Sequence, residues 1–285
     1  MHAGPEVIGV IGMGEMGASL AARLVRGGAL VLTSTQGRSA ASVLRAQQAG
    51  VECVDEDTVA QAPCLLSVVP PAAAMDTARH WSAILARCGQ QPIYMDCNAI
   101  SVDSVRRIEE LLTGCGARFV DGCIIGPPGT PQSPGPVVYL AGERPDDVSL
   151  LLRHGLLARS THGPVGAASA LKMAYAGINK GLTGLAAAMI LAASRAGAHD
   201  ALCREMAASQ PHLLAHLGRT LPDMYAKAWR WDFEMRQVSE FAAEDPDVAR
   251  LYDAMGAFFG QLGRDWETSR EAAASIDAFL RQSRS

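Results

Sequence analysis

The chain has 285 residues, a formal net charge of −4 and a pI near 6.0. That balance excludes the basic footprint of a nucleic-acid binder, and no basic run marks a membrane surface. At 49% hydrophobic residues it can bury a sizeable core, and its length suggests two domains.

Residues 1–6 lead directly into a strand-like run, without the long apolar segment and cleavage site of a signal peptide. Strands are expected at Val7–Ile11, Leu30–Ser34, Cys64–Val69, Pro92–Asp96, Ala117–Asp121 and Val137–Ala141. Helical patterns fill the gaps at Ala18–Arg26, Ala40–Ala49, Ala72–Ala86 and Val102–Thr113. This alternation predicts a parallel sheet built from βαβ units. A turn-rich, rigid loop is expected from Gly126 to Pro136. After about residue 163 the strands stop, and helical patterns follow at 164–196, 199–218, 222–243, 246–262 and 266–282. Asp245-Pro246 reads as a helix start, with Asp as N-cap and Pro at the first helical position. The domains are therefore expected at 1–163 and 164–285. The apolar stretch Gly181 to Ala193 is too short to span a bilayer. Seven cysteines, at 53, 64, 88, 97, 115, 123 and 203, fit no metal or disulfide framework. A cytoplasmic protein with reduced thiols is expected. His212 and His216 share a helix face but have no evident third ligand, so no metal is expected.

The strand Val7–Ile11 runs into Gly12-Met13-Gly14-Glu15-Met16-Gly17 and then a helix. In such a strand–turn–helix, Gly12 permits the tight turn and Gly14 admits a pyrophosphate to the backbone. Gly17 lets helix and strand pack closely, and the phosphates meet the positive end of the helix. These six residues are the first cofactor-binding candidates. The fold expected is a Rossmann-type doubly wound α/β sheet followed by an all-α domain. An NAD site wants an acid about 20 residues further on, and none occurs between Glu15 and Glu52. The second strand is followed instead by Ser34, Thr35, Arg38 and Ser39. Hydroxyls with an arginine suit a 2′-phosphate, so NADP(H) is the expected cofactor and NAD(H) the alternative. An exposed Arg38 with no ligand is the plainer reading.

Lys172 stands in an apolar, small-residue stretch, His162 to Asn179, with no acid nearby in sequence. It is either a snorkelling surface lysine or a proton donor with a lowered pKa. Free lysine titrates near about 10.4, and a useful acid/base needs roughly 7–8. Burial against an apolar wall supplies a shift of that order.

The pattern Gly12-x-Gly14-x-Met16-Gly17, the lysine preceded by Gly163-x-x-Gly166, and the α/β-then-all-α layout resemble the β-hydroxyacid dehydrogenase family. That family includes 3-hydroxyisobutyrate dehydrogenase and is related to 6-phosphogluconate dehydrogenase. Ser67–Pro71, Asp96–Ser101, Phe119–Gly126 and Leu171–Gly177 look like a branch whose C-terminal helical domain is of unknown function. The resemblance implies Lys172 as general acid/base, with the nicotinamide against Val69, Pro70 and Asn98. It also exposes three departures. The serine of the family's substrate-gripping Ser-Gly-Gly is missing, since the matching positions read Ile125-Gly126-Pro127. The asparagine one turn after the lysine is Ala176 here, leaving Asn179 or Tyr175 as substitutes. The family's lysine–aspartate pair in the helical domain is matched by a region where Glu234 is the candidate. Ser101, Ile124, Ile125, Gly126, Trp231 and Glu234 are the substrate candidates, for a hydroxyacid-like or bulkier small molecule.

The resulting expectation is an NADP(H)-dependent oxidoreductase acting on a hydroxyl/carbonyl pair. An imine reductase shares the layout, but such enzymes usually carry Asp or Tyr at the lysine position. A non-catalytic NADP(H)-binding regulator is the third reading. Cys97 and Cys123 read as inert packing residues, and Asp121 as a turn cap. Gly177, Gly181 and Gly184 on the helix after residue 164 would let another helix approach closely. Together with the resemblance they imply a homodimer.

Overall fold

The structure is a computed structural model that describes residues 5–130, 133 and 135–282. The chain divides into two compact units, Met1–Lys172 and Met173–Ser285. In the first, β1 (Val7–Ile11), α1 (Glu15–Arg26), β2 (Leu30–Thr33), α2 (Ala40–Gln48), β3 (Glu52–Cys53), α3 (Glu56–Val59) and β4 (Cys64–Ser67) come in order. A 3₁₀ turn at Pro71–Ala73 leads into α4 (Ala74–Cys88). Then follow β5 (Ile93–Asp96), α5 (Val102–Gly114), β6 (Arg118–Ile125), β7 (Val137–Ala141), α6 (Pro145–Arg153) and β8 (Leu157–Ser160).

The eight strands form one sheet in the order β3-β2-β1-β4-β5-β6-β7-β8. All neighbours are parallel except β6 and β7, which corrects the wholly parallel expectation. Among the described residues no helix separates β6 from β7, and the chain returns beside itself antiparallel. Both faces are covered, which is why the central strands read as unbroken apolar runs. Alternate residues serve opposite cores. Leu66, Met95 and Val120 pack with Leu20 and Leu24 of α1 on one face. Leu65, Tyr94 and Phe119 pack with Trp81 and Leu85 of α4 and Ile108 of α5 on the other.

Strand register positions the site. Ile11 pairs with Ser67, Ser67 with Asp96, and Asp96 with Asp121. Ile11, Ser67 and Asp96 end their strands, and with Asp121 they form a row beside the point where strand order reverses between β1 and β4. Open α/β sheets bind ligands at this place. Strand β6 is longer than its apolar core suggested because Gly122–Ile125 continue it against β7. Neither β3 nor β8 was legible in the sequence. β3 is two exposed residues, and β8 is an edge strand whose Leu157-Ala-Arg-Ser160 lacks an apolar run. Three residues of the expected 126–136 loop, at 131, 132 and 134, lie outside the described residues.

Helix α7 (Ala167–Arg195) starts in the first unit and continues into the second. At 29 residues it outlasts its alanine-rich centre and, unlike that centre, is long and apolar enough to cross a membrane by length and composition, a test that the core helix of a soluble protein also passes. The rest of the second unit is α8 (His199–Ser209), α9 (Pro211–Tyr225), α10 (Ala228–Phe241), α11 (Pro246–Glu267) and α12 (Glu271–Gln282). The helix expected at 199–218 is broken at Gln210, because Pro211 starts a new helix where no N–H is needed. The one expected at 222–243 begins only at Ala228, since Pro222 lies inside α9. Asp245 caps α11 through the N–H groups of Asp247 and Val248. The glycines of α7 do admit another helix, but it is this chain's own α11. A methyl added to Gly177 would lie 3.0 Å from the Tyr252 hydroxyl, and one on Gly184 2.3 Å from the Met255 sulfur.

Candidate active site

The turn from β1 into α1 depends on glycine at two points. Gly12 has φ +98°, and a Cβ there would lie 2.3 Å from the Val68 carbonyl oxygen. A Cβ on Gly17 would lie 2.0 Å from the carbonyl oxygen of Gly12. Gly14, the N-cap of α1, supplies no side-chain cap, and nothing lies within 4 Å of where its Cβ would be. The first N–H groups of α1 therefore face open space and lack intrahelical partners.

That space is a groove of about 490 Å³, lined by residues 12–17, by Gly37, Arg38, Ser39 and Ser42, and by Val68, Val69 and Pro70. All six residues of the glycine turn, with Arg38, Ser39, Val69 and Pro70, thus come together. Ser34 and Thr35 do not line it. They shape the turn beneath Arg38: the Ser34 hydroxyl accepts from the Gln36 N–H (3.4 Å), and the Thr35 carbonyl accepts from the Arg38 N–H (3.1 Å). Ser39 caps α2 by accepting from the Ser42 N–H. The sequence did not reveal Arg45, whose guanidinium donates to the Met13 carbonyl (3.2 Å) and ties α2 to the glycine turn. An uncapped helix start, an open glycine and an arginine with no ion pair among the described residues fit a phosphorylated dinucleotide.

A second recess, of about 180 Å³, adjoins the groove and shares Met16, Val68 and Val69 with it. Pro71, Cys97, Asn98, Ala99, Cys123, Ile124 and Lys172 complete its wall. Lys172 reaches it from the first turns of α7, and its Nζ donates to the Ile124 carbonyl at 2.7 Å. Burial lowers its pKa below the ordinary lysine range, against a smaller opposing influence from Cys123. Burial also raises the Cys123 thiol to about 12 and Cys97 well above its usual value, so both are neutral wall.

The floor of this recess is a hydrogen-bonded cluster. The Asn98 amide donates to Ser67 Oγ (3.1 Å) and Asp96 Oδ2 (3.0 Å), and its backbone N–H donates to Asp96 Oδ1 (3.0 Å). Asn98 Oδ1 accepts from the Val69 N–H at 2.7 Å. Both amide hydrogens are therefore committed, and Asn98 ties the loops after β4 and β5 together. Asp96 is 1% exposed, and burial pushes its carboxyl up to about 7; the bonds from Asn98 oppose this and the nearby Asp121 adds to it.

The remaining candidates are dispersed. Ile124 lines the recess, but Ile125 packs in the cluster of Cys123, Ala141 and Ala168 with Leu171. Gly126, at φ +120°, turns the chain against Pro136. Ser101 caps α5 through the Ser104 N–H. Tyr175 and Asn179 follow Lys172 along α7. Tyr175 is 49% exposed, and the Asn179 amide donates to the Tyr175 carbonyl at 2.8 Å. In the second unit Glu234 pairs with Lys180, whose ammonium lies 5.3 Å from the centre of the Trp231 ring. Trp231 is buried edge-on against Phe259. Among the described residues no group of three His, Cys, Asp or Glu side chains is placed to hold a metal ion.

Protonated Asp96 is compatible with the buried site, whereas ionised Asp96 is costly there. With its folded pKa raised from 3.8 to about 7, its contribution to stability is complete below about pH 4 and lost as pH rises through 7. Asp96→Asn is expected to remove that loss. In urea melts the difference in stability between pH 5 and pH 8 should shrink by about 1–3 kcal/mol relative to wild type. An unchanged difference would mean that Asp96 is ionised throughout.

The family profile described as the NAD binding domain of 6-phosphogluconate dehydrogenase matches residues 7–149, and a domain of unknown function (DUF1932) matches 193–262. Mitochondrial 3-hydroxyisobutyrate dehydrogenase of Drosophila melanogaster is 27% identical over 131 residues, 46% of this chain and 40% of the fly enzyme. The aligned part thus spans less than half of that relative. Conserved protein MTH1747, of unknown function and described as similar in structure to 3-hydroxyacid dehydrogenases, superposes with a TM-score of 0.75 at 27% identity. That match covers 94% of this chain and 98% of the other. Mycobacterium tuberculosis 3-hydroxyisobutyrate dehydrogenase, solved with L-serine, gives 0.74 at 16% identity, over 93% of this chain and 99% of that one, a likeness of fold. With half its length matched to that profile and the glycine turn intact, the chain belongs to the family of the NAD binding domain of 6-phosphogluconate dehydrogenase.

Proposed function

We propose that this protein is an NADP(H)-dependent oxidoreductase that interconverts a hydroxyl and a carbonyl group on a small molecule, with Lys172 as general acid/base. One observation carries the reading: a half-buried lysine, its pKa lowered by desolvation, lines a recess that adjoins the dinucleotide groove. Residues 1–163 would bind the cofactor, and residues 164–285 would supply substrate wall and dimer contacts. Residues 12–17 would hold the pyrophosphate at the start of α1, and Arg38 with Ser39 the 2′-phosphate. When bound, the nicotinamide supplies the hydride acceptor or donor. Lys172 takes the proton from the substrate hydroxyl oxygen during oxidation and returns it to the carbonyl oxygen during reduction. Its bond to the Ile124 carbonyl keeps Nζ at the recess wall, and the neutral thiols of Cys97 and Cys123 exclude water around it. No hydroxyl stands where the family's gripping serine would be, which favours a substrate other than a plain 3-hydroxy acid. Seven free cysteines are compatible with a reducing, cytoplasmic setting.

The homodimer is proposed on a different face from the glycines. Tyr175, Ile178, Leu182, Leu185 and Met189 follow one another along α7 at alternating spacings of three and four, the seam of a helix pair. Ile178 is 68% exposed, Leu185 55% and Met189 54%. A second copy of the chain covering this seam also accounts for a long apolar helix without a membrane.

Lys172→Ala is expected to lower kcat for alcohol oxidation and carbonyl reduction by about 10²–10⁴, with NADPH affinity retained. In wild type, oxidation should rise and reduction fall as pH climbs through the lowered lysine titration. NADPH-dependent turnover of a panel of hydroxy acids, aldehydes, ketones and cyclic imines tests this. Imine reduction that survives the substitution would favour an imine reductase, and tight NADPH binding without turnover would favour a regulator. Arg38→Ala should weaken NADPH by about 10–100-fold, the worth of a charge-assisted contact, and NADH far less; equal losses in titration calorimetry would overturn the NADP(H) assignment. Light scattering should report a dimer for wild type and a monomer for Ile178→Glu/Leu185→Glu. A monomeric wild type at micromolar concentration would contradict the dimer.

A further inference from the structure

Asp121 lies in β6 and is fully buried. Its Oδ2 accepts the backbone N–H groups of Gly166 (3.0 Å), Ala168 (3.0 Å) and Ser169 (3.1 Å), and its Oδ1 accepts the Ser169 hydroxyl (2.7 Å). These donors belong to the start of α7, where unpaired N–H groups and the positive end of the helix dipole favour a carboxylate. Three residues further along β6, the Ile124 carbonyl accepts Lys172 Nζ. Lys172 is three residues after Ser169 and four after Ala168, so it lies one turn along the same helix face. One strand therefore grips one helix twice, first by its backbone and then by its lysine side chain. Small residues around the grip make it close. A Cβ on Gly122 would lie 2.7 Å from the Cys97 sulfur, and Ala168 is fully buried.

We propose that Asp121 is a positioning residue for Lys172: by clamping the first turn of α7 to β6 it sets where Nζ enters the recess and keeps the amine out of water. This rests on the acid/base reading of Lys172. Asp121 itself touches neither the recess nor the reacting atoms. Its four donors occupy both carboxylate oxygens, so it acts through the helix and not as a base. The arrangement explains why the lysine can be so desolvated without retreating to solvent. A flexible four-carbon side chain usually snorkels, and here both its root and its tip are fastened to the same strand.

The chain has three lysines, Lys172, Lys180 and Lys227, so the amine can be followed directly. Trace acetic anhydride labelling from about pH 6 to pH 11 brackets ordinary and depressed lysine titration, and peptide mass spectrometry then gives a titration for each lysine. In wild type, Lys172 should titrate below the ordinary lysine range. In Asp121→Asn the Lys172 midpoint should rise by about one unit as water reaches the amine. The variant's kcat should fall by about 10-fold or more, with KM and NADPH affinity within about twofold, the pattern of a lost transition-state contact. Ser169→Ala, which removes one of the four bonds, should move both quantities in the same direction by less, and keeps the test open if Asp121→Asn does not fold. A Lys172 titration that stays on the wild-type curve in both variants while their melting temperature falls would overturn the proposal and leave Asp121 a cap that serves stability alone. If wild type turns over no substrate, or Lys172→Ala turns over as well as wild type, the acid/base reading fails. The labelling curves still decide whether Asp121 positions the amine.

Discussion

Two carboxylates buried side by side are the constraint on which the rest of the site depends. Asp96, the last residue of β5, and Asp121, midway along β6, are register partners, and neither has meaningful access to water. A buried acid is tolerable only if it is hydrogen-bonded or neutral. Asp96 meets the requirement through Asn98, and burial carries it toward neutrality, up to about 7. Asp121 meets it through the first turn of α7. The donors that satisfy these acids are the segments that wall the recess. Asn98 locks the loops after β4 and β5, and the start of α7 brings Lys172. Satisfying the sheet's buried charges and building the site are therefore one operation.

The electrostatics of Lys172 follow. Its tip bonds a neutral carbonyl instead of a carboxylate, and its neighbours are two thiols that burial keeps protonated. Among the described residues no ion pair stabilises the ammonium, so desolvation dominates and the pKa falls. A salt bridge here would have the opposite effect and freeze the proton in place. The adjoining groove is built on different physics, since it offers backbone donors and an arginine to phosphate. One region is thus suited to binding charge, and the neighbouring one to leaving it uncompensated.

The helical unit distributes its small residues with similar economy. The α7 glycines are filled by Tyr252 and Met255 of the same chain, which frees the opposite side of α7 to carry an apolar seam. Glu234, Lys180 and Trp231 form a local group in which the lysine's charge is shared between a carboxylate and an aromatic face.

The sequence alone determined the α/β-then-helical order, the glycine turn, the lack of an NAD-type acid after β2, and the lysine's oddity. All of these are local: periodicity, a hexapeptide spacing, and charge within a short window report on backbone conformation close by. It misread the helix breaks around Pro211 and Pro222, because either proline is equally compatible with the start or the interior of a helix until packing decides. It missed β8, since an edge strand needs no apolar run. Ser101 and Ile125 were legible as residues near a strand end but not in their direction: one hydroxyl turned to cap α5, and one side chain packed toward Leu171. Only the tertiary structure joined Asp121 to Ser169, Ile124 to Lys172 and Arg45 to Met13. Those partners stand about 30 to 50 residues apart in the chain, and strand register and helix docking, which no local pattern encodes, bring them within hydrogen-bonding reach.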